Sequence, residues 1–255
     1  MGPMKIAIII PALNEELSIA GVVSSVINEV DRVIVVDNGS TDKTARAAEA
    51  AGAKVVYEPI AGYGRSCLAG VAAAADADIY LFMDGDGADD PVDLPKIVTP
   101  ILEGTADMVI GSRLTGDVDA GALTLPQQFG NSLACTLMRI FWNGKFTDLG
   151  PFRAIDAKAY RKLDMAALTF GWTIEMQVRA LKRGLRCLET PVHYRRRIGV
   201  SKISGTLRGV VFAGGHILGV IGREILIDIA NAVGLIPSGN DFHGKQVARK
   251  ATPGD

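Results

Sequence analysis

The chain has 255 residues, with 27 Lys and Arg against 28 Asp and Glu, so its total charge is close to neutral. That balance excludes a dedicated nucleic-acid binder, which needs a basic surface to meet phosphates, and the length supports a core that folds without staples. Cys67, Cys135 and Cys187 are odd in number, far apart and set in apolar patterns, which excludes a disulfide framework or zinc site and fits a reducing cytoplasmic setting.

The start, Met1-Gly2-Pro3-Met4-Lys5, lacks the length and cleavage pattern of a signal peptide and leads directly into a first predicted strand at 6–10. Further runs rich in Ile and Val lie at 32–36, 54–57, 79–83 and 108–110. Their hydrophobicity is continuous rather than alternating, which predicts strands covered on both faces. Between them, residues 15–30, 41–51, 64–75 and 91–103 have helical length. Strands alternating with helices imply right-handed crossovers and a doubly wound, mostly parallel α/β sheet. Ser40-Thr41-Asp42 offers capping oxygens, and Asp90-Pro91 puts a capping carboxylate before a proline at a first helical position.

After Gly111-Ser112-Arg113 the rhythm changes. A loop runs through Pro126, followed by a predicted helix over 127–142, the stretch Thr147-Asp148-Leu149-Gly150-Pro151-Phe152-Arg153, a helix over 172–182 and extended segments at 185–189 and 192–197. Residues 1–113 read as a nucleotide half and 114–205 as a smaller acceptor half of one domain. Between Arg179 and Arg208 nine basic residues face one acid, Glu189, so that segment should meet an anion or an acidic surface. Residues 209–222 are apolar but bounded by Arg208 and Arg223, too short a run for a membrane span of about 20 residues. Residues 225–236 are interrupted by Asp228 and Asn231, so 206–236 reads as two amphipathic helices on a surface, an interface or a core flank. Residues 237–255 read as a polar tail.

Asp84-Gly85-Asp86 follows the apolar run at 79–83. Two carboxylates one residue apart in a Gly-containing turn can point together into the crevice above a parallel sheet. Hard oxygens of this kind suit Mg²⁺ or Mn²⁺, which usually keep waters and bind substrate phosphates. The plain alternative is a solvated acidic turn. His193, His216 and His243 stand alone, with no second ligand at a metal-binding spacing, and carry no catalytic expectation. Trp142 and Trp172 could cover a sugar or lipid, although aromatic residues more often fill core space.

Four loops follow four predicted strands: Pro11-Ala12-Leu13-Asn14-Glu15, Asp37-Asn38-Gly39-Ser40-Thr41-Asp42, Gly62-Tyr63-Gly64-Arg65 and Asp84-Gly85-Asp86. In order and spacing, residues 4–115 resemble the inverting family 2 glycosyltransferases of Rossmann-like GT-A fold. The resemblance implies a nucleotide-sugar donor site formed by Pro11, Ala12, Asn14, Glu15, Asp37, Gly39, Ser40, Gly64, Arg65, Asp84 and Gly85. It further implies Mg²⁺ or Mn²⁺ held by Asp84 and Asp86 on the donor pyrophosphate. Many relatives carry a basic residue where Tyr63 stands, so a lysine-type phosphate contact is in doubt here, with Arg65 adjacent. In the alternative reading, Asn14 and Glu15 cap the next helix and Asp37 stabilises its own turn.

The 147–153 stretch, the Glu175 helix and Arg196-Arg197-Ile198-Gly199-Val200-Ser201-Lys202 resemble segments of dolichol-phosphate mannose synthase-like enzymes. That resemblance implies hexose transfer from a UDP- or GDP-sugar to a polyprenyl phosphate, with inversion. Arg113, Arg153, Glu175, Arg196, Ser201 and Lys202 would then meet the acceptor phosphate, and Asp86, Asp148 and Arg196 would serve the reacting centre. A soluble small molecule or saccharide is the alternative acceptor. A nucleotidyltransferase is less compatible, because it wants a Gly-rich loop with Arg and Lys after the first strand. Asp148 and Glu175 could instead pair with neighbouring arginines, and the basic run could protect a solvated edge strand. A basic cluster followed by amphipathic helices also permits peripheral contact with the inner face of the cell membrane.

Overall fold

The computed structural model describes residues 4–199 and 207–233, except for the side chains of 207–213. Ser201, Lys202 and the 237–255 tail lie outside the described residues. In chain order the elements are β1 (Ile6–Ala12), α1 (Ile19–Val26), β2 (Arg32–Asp37), α2 (Thr44–Ala50), β3 (Lys54–Tyr57), α3 (Tyr63–Ala73) and β4 (Ile79–Phe82). A short 3-10 turn (Pro91–Asp93) leads into α4 (Leu94–Leu102), then β5 (Met108–Ser112), α5 (Leu125–Trp142) and β6 (Arg153–Asp156). The chain continues through α6 (Ala157–Leu163), α7 (Trp172–Lys182), β7 (Cys187–Pro191) and α8 (Leu207–Ala232).

The strands form one seven-stranded sheet in the order β3-β2-β1-β4-β6-β5-β7. β6 runs antiparallel to both β4 and β5, while the other pairings are parallel. Alternate residues supply the two core layers, as the two-residue period of a strand requires. Ile9, Ile34, Val36 and Phe82 pack with Cys67 of α3, Met138 of α5 and Trp172 of α7. Ile8, Ile10, Val33, Val35 and Leu81 pack with Val22 and Val23 of α1 and Ile97 of α4 on the other face.

Four differences from the sequence reading have physical causes. α1 begins at Ile19 because the backbone N–H groups of Asn14, Glu15 and Glu16 are taken by Ser40, Thr44 and Asp42. β6 was not expected, since its first residue is an arginine; Arg153 is fully buried there because three backbone carbonyls accept its guanidinium. Residues 192–197 are not a strand, and only isolated bridges link Tyr194 to Asp89 and Val118. The C-terminal region is one helix rather than two, because the charges near its middle are absorbed: Lys182 pairs with Glu224 and Asp228, and Arg223 pairs with Glu175. Trp172 is wholly buried in the core, and Trp142 donates its indole N–H to Asp228 at 2.7 Å, tying α5 to α8.

The site depends on α3 lying close to the sheet. A Cβ added at Gly70 would come 2.3 Å from Ile9 Cγ2, so only glycine permits this approach. Gly70→Ala should therefore destabilise the protein by roughly 1–3 kcal/mol through overpacking, read as a lower urea midpoint with an unchanged m-value.

Candidate active site

Strand β1 lies between β2 and β4, so consecutive chain segments leave it in opposite directions across the sheet. The crevice at the carboxyl ends of such strands is where open α/β sheets take ligands. Three loops are fastened around it. Asn14 N–H donates to Ser40 Oγ (2.9 Å), Thr41 N–H to Asn14 Oδ1 (2.7 Å) and Ser40 N–H to Asp37 Oδ1 (3.0 Å). Gly39 takes a positive φ of 82°, which allows the turn between Asp37 and Ser40. Ala12 sits in register with Asp37. Pro11 lies against the acidic turn, where a Cβ at Gly85 would come 3.3 Å from its carbonyl oxygen.

The Gly62–Arg65 loop is braced from two sides. Gly62 N–H donates to Asn38 Oδ1 at 2.8 Å. Arg65 N–H donates to Leu168 O at 3.1 Å, and a Cβ at Gly64 would meet Ala167 O at 2.1 Å. The segment ahead of α7 thus supports the start of α3.

The acidic turn forms the floor. Asp84 accepts from the Tyr63 hydroxyl (3.1 Å), and its N–H donates to Asp89 Oδ2 (3.1 Å). Asp86 Oδ1 accepts from Ala88 N–H at 3.0 Å. Burial, and then the neighbouring Asp86 charge, push the Asp84 carboxyl up to about 7. Asp89 is raised well above the usual carboxylate range by burial and by Asp84, and its Oδ1 finds no partner among the described residues.

The basic segment is laid along this turn by backbone hydrogen bonds. Arg195 N–H donates to Ala88 O (2.7 Å) and Ile198 N–H to Asp86 O (2.9 Å). The three arginines then diverge. Arg195 pairs with Asp90 (2.5 Å), and Arg196 turns outward to Ala120 O (2.6 Å) and Asp119. Arg197 enters the crevice, bridging Asp86 Oδ2 (3.2 Å) and Glu15 Oε1 (2.9 Å). The spacing argument pointed to Arg196; the backbone hydrogen bonds that tie Arg195 to Ala88 and Ile198 to Asp86 flank Arg197, whose side chain is the one that reaches Asp86 and Glu15.

Three further expected site residues are engaged by partners inside the protein. Asp148 is buried and receives a forked pair from Arg113, Nε to Oδ2 at 2.8 Å and Nη2 to Oδ1 at 2.7 Å. Burial works to raise its pKa, but Arg113 outweighs burial and holds the carboxyl below its ordinary value. Arg153 donates to the carbonyls of Gly150 (2.8 Å), Leu149 (2.7 Å) and Thr173 (2.9 Å), and burial lowers it to about 10. Glu175, also buried, accepts from the N–H groups of Ala166 (2.9 Å) and Ala167 (2.7 Å) and pairs with Arg179 (3.1 Å). These side chains commit their polar atoms inside the protein instead of presenting them to a ligand. Arg113 itself stacks 5.1 Å from the Tyr194 ring centroid.

Tyr63, Asp89 and Arg197 are the site residues that sequence reasoning did not select. The run of acids from Asp84 to Asp90 and the parity of the arginine triplet were the available signals.

A Rossmann-like α/β sheet with a crevice of carboxylates and an arginine at its switch point defines a ligand-binding α/β enzyme architecture. The chain belongs to the glycosyl transferase family 2, whose family model matches residues 7–164. It is a glycosyltransferase of GT-A fold. An uncharacterized glycosyltransferase of Mycobacterium tuberculosis is 37% identical over 211 residues, covering 82% of this chain and 94% of the relative. The undecaprenyl-phosphate mannosyltransferase of Micrococcus luteus is 30% identical over 222 residues, covering 81% and 90%. Among solved structures, glucosyl-3-phosphoglycerate synthase from Mycobacterium tuberculosis, in complex with Mn²⁺, UDP-glucose and phosphoglyceric acid, superposes with a TM-score of 0.67 at 26% identity, covering 86% of this chain and 80% of that one.

Asp148→Ala should cost roughly 3–5 kcal/mol, because it leaves the Arg113 charge buried and unpaired. The Asp148 carboxyl is depressed in the folded state, so the stability it contributes is present above about pH 4 and is lost as the pH falls through the folded value. Urea midpoints of the wild type and the variant should therefore converge on acidification.

Proposed function

We propose that the protein is a divalent-cation-dependent, inverting hexosyltransferase that takes its sugar from a UDP- or GDP-sugar and delivers it to a polyprenyl phosphate. The observation that carries this reading is Arg197, which brings the basic segment into contact with both the acidic turn, at Asp86, and the first donor loop, at Glu15. Donor floor and phosphate-compatible arginines meet in one crevice.

The acidic turn fits Mg²⁺ or Mn²⁺. No cluster of three or more His, Cys, Asp or Glu side chains capable of holding a metal occurs among the described residues, but Mg²⁺ commonly needs only one or two carboxylates beside substrate phosphates and water. Burial first, and then the like charge of Asp86, raise the Asp84 carboxyl. Asp84 and Asp86 would hold the cation, which would offset charge on the departing nucleoside diphosphate. The Mn²⁺ and UDP-glucose complex of the mycobacterial synthase supports this donor chemistry.

Pro11, Ala12, Asn14, Glu15, Asp37, Gly39 and Ser40 line the nucleotide side, with Gly64 and Arg65 at the start of α3. A phosphate acceptor is already anionic at neutral pH, so its oxygen can attack the anomeric carbon without a strong base. The bond from that carbon to the diphosphate breaks, its electron pair leaves with the nucleoside diphosphate, and the anomeric centre inverts. Positioning and charge compensation then dominate catalysis. Arg197 is the described cation placed to do this, and Arg196, Ser201 and Lys202 extend the same segment.

The lipid-borne acceptor is supported by the Micrococcus luteus relative. Apolar side chains also stand exposed on α5 (Leu125, Phe129, Ile140) and α8 (Leu226, Ile229), as peripheral contact with a lipid surface needs. A soluble phosphate-bearing acceptor is the second reading. It is favoured by the likeness to the phosphoglycerate enzyme and by the lack of any helix long and apolar enough to cross a membrane among the described residues.

The test is incubation with Mn²⁺, UDP- and GDP-hexoses, and either undecaprenyl phosphate or 3-phosphoglycerate, with product partitioned between butanol and water. Label in butanol supports the lipid acceptor, and label in water supports the soluble one. Absence of both transfer and slow donor hydrolysis rejects the enzyme reading. Asp86→Ala should lower kcat by about 100-fold or more, as loss of metal-centred charge stabilisation predicts. Arg197→Ala should lower kcat/KM for the acceptor by about tenfold or more, the worth of a charge-assisted contact.

A further inference from the structure

We infer that Tyr63 is a positioning residue: its hydroxyl pins one oxygen of Asp84 so that the carboxylate meets a divalent cation in a fixed orientation. The inference rests on the reading of Asp84 and Asp86 as the cation-holding pair. The hydroxyl lies 3.1 Å from Asp84 Oδ1. Among the described residues no ion pair reaches either oxygen of Asp84, in contrast to Asp86, which Arg197 engages.

Tyr63 is itself held on several sides. Its ring meets Trp172 edge-on, with centroids 6.2 Å apart and planes at 67°. Trp172 in turn packs edge-on against Phe82, with centroids 4.6 Å apart. Phe82 ends β4, two residues before Asp84. The phenol and the carboxylate it serves are therefore referenced to the same buried indole. The flanking glycines leave the backbone no room to slide, since a Cβ at Gly62 or Gly64 would lie 2.3 Å and 2.1 Å from the carbonyl oxygens of Leu168 and Ala167.

The chemistry of the donor matters as much as its place. The Tyr63 phenol is a neutral O–H donor to Asp84 Oδ1. A neutral donor orients a carboxylate without cancelling its charge. Outer hydrogen bonds of this kind fix ligand geometry and tune metal affinity.

The experiment is a Mn²⁺ titration in the presence of UDP, with free Mn²⁺ read by electron paramagnetic resonance, alongside thermal melts. Tyr63→Phe keeps the ring and its packing, so the melt should hold while the Mn²⁺ dissociation constant rises by about tenfold. Adding Tyr63→Phe to Asp84→Asn should bring no further loss, because the hydroxyl acts through that carboxylate. Wild-type affinity in Tyr63→Phe, or simple additivity in the double variant, overturns the inference while leaving the cation reading intact. A wild-type protein that binds no Mn²⁺ beside UDP overturns the cation reading and this inference with it.

Discussion

The structure depends on the repulsion among carboxylates gathered at the end of β4. Asp84, Asp86 and Asp89 lie within six residues of a buried strand end; Asp84 is driven toward the protonated form by burial and by the Asp86 charge, and Asp89 by burial and by Asp84. Such crowding costs free energy and must be offset nearby. Two arginines from distant segments do this: Arg197 engages Asp86 directly, while the Arg113 charge works to lower the pKa of both Asp84 and Asp89. The same gathering of carboxylates is the basis on which the turn is proposed to hold a divalent cation.

A second layer keeps this strained floor in place. Arg113 is itself fixed by Asp148, and the backbone N–H groups of Thr147 and Asp148 in turn donate to the Glu189 carboxylate of β7 at 2.9 Å and 3.0 Å. Arg153 gathers the carbonyls of 149–150 and of Thr173, joining β6 to the start of α7. Glu175 holds the N–H groups of Ala166 and Ala167, and the following carbonyls press on the glycines that open α3. Arg223 of α8 pairs with that same Glu175. The charged residues of the second half thus form a chain of support that runs from the C-terminal helix to the donor loop. Buried polar networks of this kind, once fully satisfied, hold geometry tightly.

Much of the fold was legible because its signals are local. Continuous apolar runs marked β1 to β5, with boundaries shifted by a residue or two, and helical spacing placed α7 at Trp172–Lys182. The acidic turn and the donor loops were legible for the same reason: residue type and spacing along one short segment carry their chemistry. The antiparallel strand β6 was hidden because a buried arginine looks like surface until its carbonyl partners are known. The continuity of α8 was hidden because its interrupting charges are cancelled by partners on α5, where Trp142 meets Asp228, and on α7.

The sequence by itself determined the alternating architecture, the carboxylate pair at the end of the fourth strand, and the presence of a basic segment suited to phosphate. Those features follow from hydrophobic period and from charge along the chain. Tertiary structure alone decided which of the charged residues face the crevice. Arg197 rather than Arg196 turns inward, and Asp148, Arg153 and Glu175 turn away from solvent into pairs and carbonyl cages. The physical reason is that a charge is spent wherever its nearest opposite partner lies, and those partners are 35 residues off for Arg113 and 182 for Arg197, distances only the folded chain can close.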